Sequence, residues 1–365
     1  MAAELPRPVY STEELITAGR GHLSEKLETM LRSLGVDKRH SIVANYPDFL
    51  FRGAEPRIDI PASQLAVKAS RACLTKAGIP MESIGLVVGV TSSPARLLPS
   101  LVCDLFALMP ELPRTASNLS IEYMGCSSMA KAVETARWYL NYRPNRHVLI
   151  CFMDAISSLS PELPNFYEHF SEVSPDERQG TVNVLHGFLF ADAAVAMVFG
   201  AESGGPSFGQ VANLTNELSS DAELGTVPDG GSDDPLVYGQ RMYTLSPDIT
   251  PRGAFYASET VRRVLDSDGC ELRDPSDASV LLMHTGSTRI LDALCDQFGV
   301  APGSEQVASS YRVLRDYGNT IGCSVPLMIA EQTHRPAGQG LIVAFGLSFA
   351  GGAFTMNVPD GGWSP

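Results

Sequence analysis

An α/β fold built from two similar halves is what this sequence predicts, on three observations. Apolar runs suited to buried strands alternate with stretches whose apolar residues recur at helical spacing, the pattern of a mostly parallel sheet covered on both faces. Two apolar runs rich in small residues, LFADAAVAMVFG (189–200) and GLIVAFGLSFAGGAFTM (340–356), lie about 150 residues apart, a period that suggests duplicated halves packed together. One acidic, Gly/Pro-rich stretch, SSDAELGTVPDGGSDDP (219–235), breaks the rhythm and is expected as a surface loop, after which the pattern restarts. The halves are placed at residues 1–205 and 206–365.

The elements follow in order. Residues 22–34 space Leu23, Leu27, Met30, Leu31 and Leu34 along one helical face. Residues 62–78 form a second helical stretch, with Gly78 placed as its C-cap. IGLVVGVTSS (84–93) is an apolar, β-branched run fit for a buried strand, and HVLICFM (147–153) is another. Between them, residues 128–140 form a helix. The polar, Pro-containing stretch 157–185 is a lid over a tunnel mouth or a plain surface excursion. The second half gives a helix at 254–265, the strand SVLLMHTG (279–286), a helix at 289–299, a helix at 324–332 and the strand LIVAFGLSF (341–349).

Composition narrows the function. With 365 residues, 44% hydrophobic and 19% charged, the chain is long enough for a sizeable core and balanced like a compact enzyme. It holds no apolar run of the length a membrane span needs and opens without a basic start followed by an apolar stretch. Seven cysteines, scattered and without a CxxC pair, argue against a disulfide framework or a zinc site and for a reducing, cytoplasmic setting. A net charge of −14 makes nucleic acid an unsuitable partner. The same charge requires that any polyanionic substrate meet a local basic patch.

Three residues carry candidate chemistry. Cys126, in IEYMGCSSMAKAV, follows a strand-like stretch and Gly125 and opens a long helix. The positive end of that helix favours thiolate, the form that attacks a thioester. His284, in SVLLMHTGSTRIL, stands at the end of an apolar strand, where α/β sheets bind ligands. Asn319, in DYGNTIGCSVP, cannot act as a base, but its NH₂ group can donate to a developing oxyanion. Taken singly, a buried structural cysteine, a core histidine and a Gly-Asn turn are the plainer readings.

Together, in this order and within a duplicated pattern, the motifs resemble a known family. GVDKRH (35–40), IGLVVGVTSS with LPSLVCDLF, YMGCSSM, HVLICFMDA, LFADAAVAMVFG, MHTGSTRIL, GNTIGCSVPLMIAEQ and AFGLSFAGGAF are similar to segments of the condensing enzymes of the thiolase superfamily. The resemblance is to β-ketoacyl-acyl-carrier-protein synthase III and the type III polyketide synthases, and runs from about residue 30 to residue 356. It implies a thiolase-like fold: two βαβαβαββ halves in a five-layered αβαβα arrangement, with the nucleophile in the first half and the His and Asn in the second. It implies a ketosynthase that joins an acyl group on Cys126 to a malonyl-type or β-ketoacyl thioester by decarboxylative Claisen condensation. His284 and Asn319 match the pair that stabilises the enolate, and the backbone N–H groups of Cys126 and Leu347 match the oxyanion donors. Phe190 matches a pocket-lining aromatic, with Phe255 or Tyr256 as its opposite number, and Met129 stands where relatives carry a smaller residue. Lys26, with Arg32 nearby, matches a thioester-docking position; Lys38 and Arg39 extend this basic group. The substrates implied are acyl-CoA or acyl-carrier-protein thioesters, with no bound cofactor or metal. A homodimer is implied too, and HVLICFM with MGCSSM is expected to suit its two-fold interface. The alternative is an acyltransferase that moves the acyl group to a hydroxyl, amine or second acyl chain without decarboxylation.

Overall fold

The computed structural model describes residues 1–21, 23–160, 178–201, 205–227, 244–246, 248–332, 336–346 and 349–359. Its strands are β1 (Ala2–Glu4), β2 (Val9–Ser11), β3 (Lys38–His40), β4 (Ile84–Thr91), β5 (Ser117–Glu122), β6 (His147–Asp154) and β7 (Ala193–Phe199). They continue with β8 (Ser207–Thr215), β9 (Gly225–Thr226), β10 (Thr244–Leu245), β11 (Leu281–Met283), β12 (Gly338–Gly346) and β13 (Ala350–Val358). Two sheets form the frame. The first runs β1-β7-β6-β4-β5 and the second β11-β12-β13-β8; two-stranded pairings β2/β3 and β9/β10 stand apart.

The duplication is visible in the topology. Read outward from β4 and from β11, the orders β4-β6-β7-β1 and β11-β12-β13-β8 share the same senses: one parallel pairing followed by two antiparallel ones. All strands of the first sheet precede residue 200 and all strands of the second follow residue 206. The sheets are therefore mixed, not mostly parallel as the alternation of strands and helices suggested. The reason is local. The run 340–356 is not one strand but a hairpin, β12 against β13, with Gly346 opposite Ala350, so the last pairing must be antiparallel.

Helices fill the layers between and outside the sheets. The helix Ser128–Tyr142 packs on β4 and β6 on one side and on β8 and β13 on the other, so it lies between the sheets with the helix Ser324–Ala330. The helix Ala62–Ala77 covers the outer face of the first sheet through β7, β1 and β6. It ends on Gly78, whose φ of 61° is the left-handed C-cap conformation. The helix Ile249–Leu265 covers the outer face of the second sheet. The result is the five-layered αβαβα arrangement. Because both faces are covered, β4 is buried along its whole length and β6 at every residue after His147, which is why both read as unbroken apolar runs.

Two expectations need correcting. HVLICFM is β6, in the middle of the first sheet between β4 and β7, so it has no edge to offer a partner; β5 is the edge strand on that side. The acidic stretch 219–235 is not all loop. Ser219–Glu223 is a 3-10 turn, and Asp221 is buried where Arg252 Nε (2.9 Å), Arg252 Nη2 (2.5 Å) and Tyr256 Oη (2.7 Å) donate to it. Residues 228–243 lie outside the described residues, as does 161–177, the greater part of the lid or surface excursion expected over 157–185. Of that last stretch the structure gives a 3-10 turn at Ser157–Leu159 and the start of the helix Arg178–Leu189.

Candidate active site

The Cys126 loop is hung on the end of β4. After β5 the chain turns through Tyr123 (φ 58°) and Gly125 (φ 57°), both in the left-handed region. Tyr123 N–H donates to Thr91 O at 2.9 Å and Gly125 N–H to Ser92 Oγ at 3.0 Å. Cys126 then sits in a 3-10 turn, Gly125–Ser127, that leads directly into the helix Ser128–Tyr142. From the second half, the end of β12 closes on this loop: a Cβ at Gly346 would stand 2.6 Å from Cys126 N, so only glycine allows that approach.

Asn319 reaches the same point from the second half. Its backbone is gripped on both sides by the segment carrying Phe190, with Asn319 N–H to Leu189 O at 2.9 Å and Ala191 N–H to Asn319 O at 3.0 Å. Its Oδ1 accepts from Ile321 N–H (2.9 Å), from Ser324 Oγ (3.4 Å) and from the Cys126 thiol at 3.8 Å. Occupying the oxygen in this way leaves the NH₂ end as the donor, the group the chemistry requires.

His284 follows β11, which runs parallel to β12. Its N–H donates to Val343 O at 3.0 Å, and its ring lies 4.8 Å from that of Phe345, one residue before Gly346. A chain of hydroxyls links its neighbour to Asn319: Thr285 Oγ1 to Ser324 Oγ at 2.9 Å, then Ser324 Oγ to Asn319 Oδ1. His284 Nδ1 is buried and has no hydrogen-bond partner. A Cβ at Gly286 would come within 2.9 Å of its Nε2, so the glycine leaves room for the ring. Cys126, Asn319 and His284 are all buried, at 6%, 3% and 6% exposure.

Burial decides the protonation states. It pushes the Cys126 thiol well above its ordinary value, and the nearby Asp154 carboxylate pushes it further. A backbone N–H that favours the thiolate is outweighed by this burial. Burial also lowers His284 to about 4, so its imidazole is neutral. The resting pair is thus thiol and imidazole, and the thiol proton has to leave as the sulfur attacks.

The other sequence candidates divide. Met129 is buried in the same apolar cluster as Cys126, and Phe190 packs against that cluster with its ring 4.8 Å from His186. Phe255 is 39% exposed with the Arg252 guanidinium over its ring. Tyr256 is buried, donating to Asp221 and accepting Glu217 N–H at 2.6 Å. These two therefore have other partners. The residue of their helix that faces the site is Gly253, packed on Phe345 behind His284. Leu347 lies outside the described residues. Lys26 is exposed; Arg32 is held by Glu13 at 2.8 Å and Glu28 at 3.2 Å. Arg39 is not at any rim: it is 1% exposed, its Nη2 donates to Thr12 Oγ1 at 2.6 Å, and its guanidinium lies over Phe188.

Sequence reading passed over Ser92 and Gly346, which touch the Cys126 loop, and Ser324, which donates to Asn319 Oδ1. Their only signal was position, at the ends of strands or after a turn. Among the described residues, no group of His, Cys, Asp or Glu could hold a metal, and no helix is long and apolar enough to cross a membrane.

Residues 272–358 match the family 3-oxoacyl-[acyl-carrier-protein] synthase III, C terminal. The chain is 30% identical over 285 residues to a β-ketoacyl-[acyl-carrier-protein] synthase III of Synechococcus sp., covering 73% of this chain and 72% of that protein. It is 26% identical over 356 residues to the bisdemethoxycurcumin synthase of Oryza sativa, covering 89% and 81%. In fold it superposes on the 1,3,6,8-tetrahydroxynaphthalene synthase of Streptomyces coelicolor, a type III polyketide synthase, with a TM-score of 0.76 at 17% identity, covering 100% of this chain and 98% of that one.

Proposed function

This chain belongs to the thiolase-superfamily condensing enzymes, the family of β-ketoacyl-acyl-carrier-protein synthase III, and from that premise we propose how its site works. It is a ketosynthase, a transferase of acyl groups in fatty-acid or polyketide biosynthesis. In our reading the Cys126 sulfur attacks the carbonyl of an acyl thioester. The carbonyl oxygen is received by the Cys126 N–H at the Gly346 end of β12. As the C–S bond forms, the thiol proton passes to neutral His284 and on to the departing thiol, leaving acyl-Cys126. A malonyl-type thioester then binds with its thioester oxygen facing His284 and the Asn319 NH₂. Its C–CO₂⁻ bond breaks, CO₂ leaves, and the electron pair forms an enolate that attacks the acyl carbon and expels the Cys126 thiolate. Two donors at a developing oxyanion are each worth about 3 kcal/mol.

The observation that carries this reading is the 3.8 Å contact between the Cys126 thiol and Asn319, residues from different halves, with the Asn oxygen already occupied by backbone. Intact-protein mass spectrometry tests it. Wild type should gain the acyl mass on incubation with an acyl thioester, and Cys126→Ala should not. Asn319→Ala should still load but lose most CO₂ release from a malonyl donor. Loading without any CO₂ release in wild type would instead point to acyl transfer without condensation.

We further assign CoA or carrier-protein thioesters as donors, a homodimer as the working form and the cytoplasm as its setting. The seven cysteines, all free thiols, support the last. β5 supports the dimer: it is the first sheet's edge, with Leu119 at 41% and Tyr123 at 45% exposure beside it. Lys26 and Lys38, both exposed, are the charges best placed to meet a phosphorylated donor, since Arg32 is already paired and Arg39 is buried.

A further inference from the structure

We propose that Asp154 is a positioning residue for this reaction, a carboxylate that fixes the Cys126 loop of the first half against the Asn319 turn of the second. The inference rests on the functional reading above for which loops matter, and on geometry for the rest.

Asp154 ends β6 and is fully buried. Its two oxygens serve different halves. Oδ1 accepts Ser92 N–H at 2.7 Å, Ser93 Oγ at 3.0 Å and Thr91 Oγ1 at 3.4 Å, all at the end of β4. Ser92 Oγ in turn accepts Gly125 N–H, so this oxygen is one residue from holding the nucleophile loop. Oδ2 accepts Gly322 N–H at 2.8 Å, three residues after Asn319. A carboxylate is the group that accepts on both sides and donates on neither. The approach is close: a Cβ at Gly322 would lie 3.0 Å from Asp154 Oδ2 and 2.8 Å from Ser128 Oγ.

A second observation points the same way. Among the described residues only three that are not glycine have positive φ, and two of them are Tyr123 (58°) and Ile321 (52°). For β-branched Ile321 this is a strained conformation, which persists only when its surroundings impose it. Ile321 N–H is taken by Asn319 and the next N–H by Asp154; Tyr123 N–H is taken by Thr91, whose hydroxyl donates to Asp154. Both loops that carry reactive groups are thus held in strained turns, and both are tethered to one carboxylate. Among the described residues no basic side chain bonds to Asp154; the titratable groups it acts on are the Cys126 and Cys323 thiols, and its charge opposes ionisation of each. The position therefore raises the barrier to thiolate formation while fixing the geometry, which separates the two effects experimentally.

Asp154→Asn keeps the shape but cannot accept on both sides. We expect the turnover number for condensation to fall roughly tenfold to a hundredfold, as for a misplacement of about an ångström, with the KM for donor changed by less than about threefold. At the same time the pH profile for alkylation of Cys126 by iodoacetamide should move to lower pH, because the opposing charge is gone. A more reactive thiol in a slower enzyme is the expected pair of results. Ser92→Ala severs only the branch to Gly125 and should slow acyl loading more than it slows CO₂ release; it stands in if Asp154→Asn does not fold. Wild-type turnover in Asp154→Asn, an unmoved alkylation profile, or wild-type loading in Ser92→Ala would each overturn the inference. Failure of the wild-type protein to load acyl groups would instead overturn the functional reading, and the alkylation profile would still report on Asp154.

Discussion

Cys126, His284 and Asn319 owe their states to burial more than to one another. His284 at about 4 lies below the usual histidine value near 6.5, because burial disfavours its charged form. Between those values the unfolded chain binds a proton that the folded chain refuses, so His284 favours folding above pH 6.5 and this contribution is lost as pH falls toward 4. His186, pushed down to about 3 by burial, acts in the same direction. Asp154 and Asp192, raised to about 6 by burial, act oppositely: each costs stability above about 6 and regains it as pH falls toward the ordinary carboxylate value. The two histidines therefore destabilise the fold on acidification, and the two aspartates work against that loss. His284→Gln should retain about 2 kcal/mol more of its neutral-pH stability at pH 5 than wild type does, read from urea melts at the two pH values. Equal losses in the two proteins would mean that His284 is not held neutral by its site.

At the scale of elements, the site is made by strand ends meeting. β12 brings Gly346 against Cys126 N and Phe345 against His284, while β11 delivers His284 in parallel register, Met283 opposite Val343. A single methyl at 346 has nowhere to go, because the atom it meets is backbone and not the end of a flexible side chain. Gly346→Ala should therefore displace the Cys126 loop and cut the acyl-loading rate by roughly a hundredfold, with far-ultraviolet circular dichroism unchanged. Loading within a factor of two of wild type would show that the strand end yields without disturbing the sulfur. The clamp of Asp221 by Arg252 and Tyr256 is a second such device, holding the start of the 219–235 stretch on the helix Ile249–Leu265.

At the scale of the whole molecule, a net charge of −14 sets the background against which a polyanionic donor must find its entrance. Screening confines that guidance to about 8 Å at physiological salt, so local charges decide. Lys26→Glu with Lys38→Glu should raise the KM for a CoA thioester several-fold more than for a short uncharged thioester. Arg32→Glu should have a smaller effect, because its charge is already matched by Glu13 and Glu28. Equal changes for both donors would remove this face as the docking site. The free edge of the first sheet is the other large-scale feature. A charge on each of two facing edges repels across a two-fold axis, so Leu119→Glu should lower the mass in sedimentation from a dimer toward the 39.2 kDa chain. A variant that stays dimeric would place the interface elsewhere.

The sequence by itself determined many of the elements and the enzyme family. Apolar periodicity placed the helix Ala62–Ala77 and its Gly78 cap, the buried strands β4 and β6, and the strand that His284 follows, because those features depend on residues near one another in the chain. What only the tertiary structure decided was anything that depends on which distant segments meet. It made β6 central and β5 the edge, folded 340–356 into a hairpin, buried Arg39, and turned Phe255 and Tyr256 toward Arg252 and Asp221. It also buried the Cys126 thiol, which pushes its pKa up. Desolvation is the sum of all atoms that crowd a group, most of them far away in sequence, whereas a dipole at a helix end is a local property the sequence displays.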